Sequence, residues 1–144
     1  MERKVLELAA PEDVLAVYDV YRHCMFQPTP EKFRKKAEAF LADATVRIFA
    51  CLEDGEVRGV AVLSLAAPHR GELLGIATAP EYRGRGIGSG MIAHLTARCG
   101  LTALLAETDD DAVGFYRKTG FAVTPCTAIY DGQPVTRYRC ERVK

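Results

Sequence analysis

Net charge is the first thing this sequence lacks: 19 Lys and Arg are balanced by 19 Asp and Glu across 144 residues. With both signs spread along the chain, no strong field favours nucleic acid or an anionic membrane, so neither is expected as a partner and recognition must be local. Paired cysteines are missing too. Cys24, Cys51, Cys99, Cys126 and Cys140 are odd in number and widely spaced, with no Cys-x-x-Cys, which argues against a disulfide framework or a metal site and for a reducing cytoplasm. No apolar run approaches the ~20 residues of a spanning helix, and no basic stretch leads into an apolar one. Repeats, low-complexity segments and linkers are absent. The expectation is a mature, soluble, cytoplasmic protein with one domain over residues 1–144, and 49% hydrophobic residues are enough for a core without metal or disulfide.

What is present alternates between the two periods of regular structure. Residues 4–8 read as a strand, and Val14, Val17, Tyr18, Tyr21 and Met25 recur at helical spacing behind Pro11, predicting one amphipathic helix. Phe33, Ala37, Phe40 and Leu41 mark a second. Two nearly all-apolar runs separated by Asp54-Gly55 predict a β-hairpin of central strands. A strand over 72–78 follows, then a glycine-dense loop, a helix carrying Ile87, Met91, Leu95 and Cys99, and a strand over 101–107. Thr108 and Asp111 have capping-box spacing for a further helix ending at Gly120, and Asp131-Gly132 turns a last hairpin. The fold class expected is α/β, or more narrowly α+β: a central mixed sheet flanked by about four helices.

The chemistry-bearing piece is Arg83-Gly84-Arg85-Gly86-Ile87-Gly88-Ser89-Gly90, between a strand and the first turn of a helix. Glycines there allow positive φ and close approach of a ligand, and the free amides and positive dipole end of the helix suit a phosphate. Gly86 and Gly88 are expected to leave the room that the phosphate fills. No lysine occupies the loop, which excludes a Walker A cradle, and the Gly-x-Gly-x-x-Gly spacing fails from Gly84 and from Gly86 alike. Glu107 could still mimic a ribose-binding acid, so a Rossmann-like oxidoreductase stands as a remote alternative.

Arg83 to Gly88 match every fixed position of Gln/Arg-x-x-Gly-x-Gly/Ala, and Ala112 to Phe121 carry a Tyr ahead of Lys-x-Gly-Phe. On these two motifs, over roughly residues 70–124, the chain resembles the GNAT superfamily of N-acetyltransferases. The resemblance implies the acyl-CoA N-acyltransferase fold and acetyl-CoA as cosubstrate. It further implies a V-shaped opening between the strands at 72–78 and 101–107, where the backbone of Ile76, Ala77 and Thr78 pairs with the pantetheine arm. Amides of Arg83, Gly84, Arg85, Gly86, Ile87, Gly88 and Ser89 would hold the pyrophosphate. Asp109 stands where the family often has an Asn that touches the cofactor; an ionised carboxylate cannot donate as an amide does.

Acetyl transfer to an amine needs a base, an oxyanion donor and a proton for the leaving thiolate. The resemblance implies Tyr116 as the acid, near the sulfur, and a backbone amide near Thr78 as the oxyanion donor. Glu72 is the candidate base, on a strand face that simple alternation shares with Leu74, Ile76 and Thr78. Glu107, Asp109, Asp110 and Asp111 form an acidic cluster that serves the helix end or draws a cationic amine to the cleft. His69 is read as a loop residue near the acceptor. A small-molecule amine is expected ahead of a protein as acceptor, and the final hairpin offers an edge for a homodimer. The rival from another class is a catalytically silent acyl-CoA-binding module on the same fold.

Overall fold

The computed structural model describes residues 2–144. Strands β1 (Arg3–Leu8), β2 (Val46–Glu53), β3 (Glu56–Ala67), β4 (Arg70–Thr78), β5 (Ala103–Thr108), β6 (Ala122–Tyr130) and β7 (Gln133–Val143) form one sheet in the order β1-β2-β3-β4-β5-β7-β6. Only β4 and β5 run parallel; the remaining neighbours are antiparallel. A doubly wound parallel sheet is therefore ruled out, and with it the oxidoreductase alternative. Glu107, its one supporting residue, instead faces Arg137 at 3.7 Å.

Both central strands read as continuous apolar runs because both faces of the sheet are covered. Ile48, Val60 and Val62 pack with Val14, Val17, Tyr21, Phe33 and Ala37 on one face. Phe49, Ala61 and Leu63 pack with Met91, Ile92, Leu95, Tyr116 and Phe121 on the other. Full burial of one such Leu or Phe contributes roughly 1.5–3 kcal/mol. The helices of the first face are α1 (Pro11–Leu15), α2 (Tyr18–Tyr21) and α3 (Pro30–Ala42); those of the second are α4 (Ile87–Arg98) and α5 (Val113–Lys118). Helix α3 starts with Pro30 at N1, and the Thr29 hydroxyl accepts from the Lys32 amide at 3.1 Å.

Two expected elements differ. The single helix from Pro11 is broken at Val17 (φ −92°, ψ 6°) and tightens into a 3₁₀ turn over Arg22–Cys24. Val14, Val17, Val20 and Tyr21 are all buried, so the apolar face read from the spacing survives the break. The Thr108–Asp111 capping box does not form either. Thr108 is buried at the end of β5, Asp109 Oδ1 accepts from the amides of Asp111 and Ala112 at 3.1 and 3.0 Å, and α5 begins only at Val113.

Candidate active site

Strands β4 and β5 pair from Arg70↔Ala103 to Leu73↔Ala106 and no further. Past that point β4 continues to Thr78 and β5 to Thr108 without a ladder between them, so peptide groups of the β4 stretch containing Ile76, Ala77 and Thr78 line an open edge inside the sheet. Two side chains of that stretch are already used: Ile76 packs toward α4 and buried Ala77 toward α1–α3, which leaves their backbone to meet a ligand there.

At its far end β4 runs through a 3₁₀ turn, Pro80–Tyr82, into the glycine loop. Gly84 and Gly86 lie in the left-handed region, at φ +79° and +80°, and Gly86 is the N-cap of α4. That turn aims the amides of Ile87, Gly88 and Ser89, the first donors of a 12-residue helix, out of the N-terminus, where they have no intrahelical partner. Arg83 and Arg85 are exposed beside them. Gly88 has a different role from the one expected. A Cβ there would stand 2.7 Å from Phe115 Cε1 and 2.9 Å from Cζ, so its bareness admits the α5 aromatic ring.

The face assigned to Glu72 is also corrected. Val62 pairs with Gly75 and Leu63 with Leu73, so Leu74 is an extra, unpaired residue, a β-bulge that resets the alternation. Leu73 and Ile76 point toward α4, whereas Gly75 and Ala77 point toward α1–α3. Glu72, opposite in sense to its neighbour Leu73, shares the face of Gly75 and Ala77 and not that of Ile76 and Thr78; it is exposed. The bulge lies where β4 leaves β5, so both departures from regular pairing coincide.

Sequence reasoning missed the group that fills this bend. A Cβ on Gly75 would run into the Tyr21 hydroxyl, so that phenol, from α2, lies directly over the bulge. Cys24 follows in the 3₁₀ turn. Although the residue is exposed, its thiol donates to the Tyr21 carbonyl at 3.3 Å, and desolvation pushes it up to about 11. The only sequence signal was Tyr21 at helical spacing, indistinguishable from a core aromatic.

From the β5 side comes Tyr116, 5% exposed, with Phe115 and Phe121 edge-on at 5.2 and 5.1 Å. Burial raises its phenol far above the ordinary tyrosine range, and the charges of Cys140, Cys24 and Asp109 add to the shift. Tyr116 packs in the core beneath α4 and α5 and Tyr21 in the core beneath α1–α3, and both phenols stay protonated at neutral pH.

Three of the four acids of the cluster have structural partners. Asp109 Oδ1 caps the turn before α5, Asp110 accepts from the Tyr138 hydroxyl at 2.6 Å, and Glu107 faces Arg137. His69 sits at φ +62° in the β3–β4 turn, 2.9 Å from the Gly100 carbonyl, at the end of β4 remote from the opening. Among the described residues no group of three or more His, Cys, Asp or Glu is arranged for a metal.

The family model described as the acetyltransferase (GNAT) family matches residues 14–121. A peptidyl-lysine N-acetyltransferase, YjaB, of Salmonella typhimurium is 46% identical over 57 residues, a match covering 38% of this chain and 39% of that relative. Among solved structures, a GNAT-family protein from Desulfovibrio desulfuricans superposes with a TM-score of 0.77 at 18% identity, covering 99% of both chains. A GNAT family acetyltransferase from Elizabethkingia anophelis, with acetyl-CoA bound, gives 0.71 at 18% identity over 99% of this chain and 98% of that one. At such identities the likeness is one of fold.

Proposed function

Because the chain belongs to the GNAT acetyltransferase family, we propose that it moves the acetyl group of acetyl-CoA to a primary amine by direct transfer. The observation that carries this reading is the opening between β4 and β5, with unpartnered helix amides in the loop that follows β4; the buried phenol of Tyr116 is read as turned to it. In this reading the backbone of Ile76, Ala77 and Thr78 binds the pantetheine arm as an added strand would, and the loop from Arg83 to Ser89 holds the pyrophosphate.

Tyr116 is proposed as the general acid: its phenol, held protonated by burial, hydrogen-bonds the departing sulfur as charge develops there and passes it a proton, which the ammonium formed on the amine returns to the phenol directly or through water. Glu72 is proposed as the base that first neutralises the amine; its support is its exposed place on β4, one residue before the last pair that β4 makes with β5.

The acceptor is read as a small amine on the neutral charge of the chain. The name of the YjaB relatives favours a second reading, a protein lysine. A second copy would pair through β6, an open sheet edge with Ile129 and Tyr130 exposed; light scattering in solution reads that directly.

The deciding experiment mixes the protein with acetyl-CoA and a panel of polyamines, amino acids and lysine peptides, and measures free thiol. Amine-dependent release is the expected result. Coenzyme binding without release on any amine would mark a silent binding module. At about 100 times its dissociation constant, acetyl-CoA should add ~2.7 kcal/mol of stability, several degrees in melting temperature, and NAD none.

A further inference from the structure

Arg58, on β3, belongs to neither motif of the glycine loop or of α5, yet its guanidinium lies over the Tyr82 ring with Cζ 4.1 Å from the centroid. Arg85, from the loop itself, lies against the same ring at 4.9 Å. Tyr82 is thus held between one cation fixed to the sheet and one carried by the loop. Its ring is half-buried and touches both cores, and its amide donates to the Ala79 carbonyl at 2.9 Å. The Arg58 carbonyl in turn accepts from Ala79 at 2.8 Å, so the strand, the turn and the ring form one connected unit.

Two features show that this unit is not a simple ion-pair network. Arg58 Nη2 reaches Glu56 at 2.8 Å, but Arg58 Nε is buried without a hydrogen-bond partner, as expected of a guanidinium committed to an aromatic ring. Arg85 has the ring as its described contact and is otherwise exposed.

We propose that Arg58 is a positioning residue for coenzyme binding: by stacking on Tyr82 it fixes the ring against which Arg85 is held, so that the loop cation stands preset beside the α4 N-terminus for the coenzyme's phosphates. The inference rests on the acetyl-CoA reading above. Without the stack, Arg85 is one more mobile surface arginine, and the cost of ordering it falls on binding.

The test compares acetyl-CoA with acetyl-pantetheine, a donor that keeps the reacting thioester and lacks the phosphates. Arg58→Met keeps the length of the stem and removes the charge and plane. It is expected to raise KM for acetyl-CoA roughly tenfold with kcat retained, to flatten the salt dependence of coenzyme A binding, and to leave the mutant-to-parent ratio near one for acetyl-pantetheine. Tyr82→Leu should reproduce this and Tyr82→Phe, which keeps the ring, should not. Arg58→Met and Arg85→Met should be less than additive, because both act through one ring. Equal losses for both donors, or full additivity, would overturn the proposal in favour of a general structural role for Arg58. Unchanged acetyl-CoA KM in a folded Arg58→Met overturns it while leaving the acetyl-CoA reading intact, whereas a parent protein that binds no coenzyme A overturns both.

Discussion

Tyr116 is legible in the sequence only as part of a motif, since its ring packs between Phe115 and Phe121 as any core aromatic would. Substitution separates the two roles. Tyr116→Phe keeps the ring, and turnover should fall ~10²-fold to 10⁴-fold at saturating acetyl-CoA with affinity little changed, because the hydroxyl meets a developing thiolate only as the bond breaks. Normal turnover with the best amine would remove Tyr116 from the chemistry. Glu72→Gln is read by its pH profile. If the carboxylate takes the amine's proton, the deficit should be greatest at low pH and shrink toward the amine's own pKa, whereas a deficit equal at all pH values marks a binding role. Glu72 was identifiable by position, but its orientation was not, because one unpaired residue, Leu74, reverses the face of everything before it.

At the scale of elements, the contact between α4 and α5 depends on the absence of a single methyl. Gly88→Ala must push against the Phe115 ring, and α5 carries Tyr116 beside that ring. The expected result is a destabilisation of about 1–3 kcal/mol by overpacking, together with lower turnover, measured by thermal melts and initial rates. Adding Phe115→Leu should recover much of both. If coenzyme affinity alone falls while stability holds, the glycine serves the ligand after all. Gly86 acts differently: its surroundings are open, the nearest atom to a Cβ being Ser89 Oγ at 3.9 Å, and its constraint is the left-handed φ. Two glycines of one motif, two residues apart, thus have unrelated reasons to be glycine.

For the whole molecule, the groups most displaced from their ordinary ionisation are neutral acids raised by burial: Tyr21, Cys24 and Tyr116. In the unfolded chain these ionise near their usual values; in the native state they hold their protons to higher pH. The unfolded state therefore binds fewer protons above about pH 9, and stability that is complete below the unfolded values is lost as pH rises toward the folded ones. Melting temperature should fall steadily between about pH 9 and pH 11, and Tyr21→Phe should flatten that decline. A flat profile in the parent protein would mean that these side chains reach water. On the acid side the balance reverses: the Arg47 guanidinium holds the Glu7 carboxyl below its ordinary range, so its small contribution is lost as pH falls through that lowered value.

Periodicity and turn chemistry were enough to derive most elements, because both are local: central strands buried on two faces read as apolar runs, Asp54-Gly55 and Asp131-Gly132 turn as their φ of +50° to +84° requires, and the glycine loop announces a helix N-terminus. The motifs were likewise local, and the family followed from them. Order within the sheet, the widening between β4 and β5, the bulge at Leu74 and the Tyr21 hydroxyl over Gly75 were decided only by tertiary packing. Each depends on which distant surfaces compete for the same space. A strand's alternation is a property of its own residues until a neighbour forces an extra one out of register. From that point the face of Glu72, the use of Gly88 and the stacking of Arg58 on Tyr82 belong to the assembled molecule, where residues far apart in the chain meet.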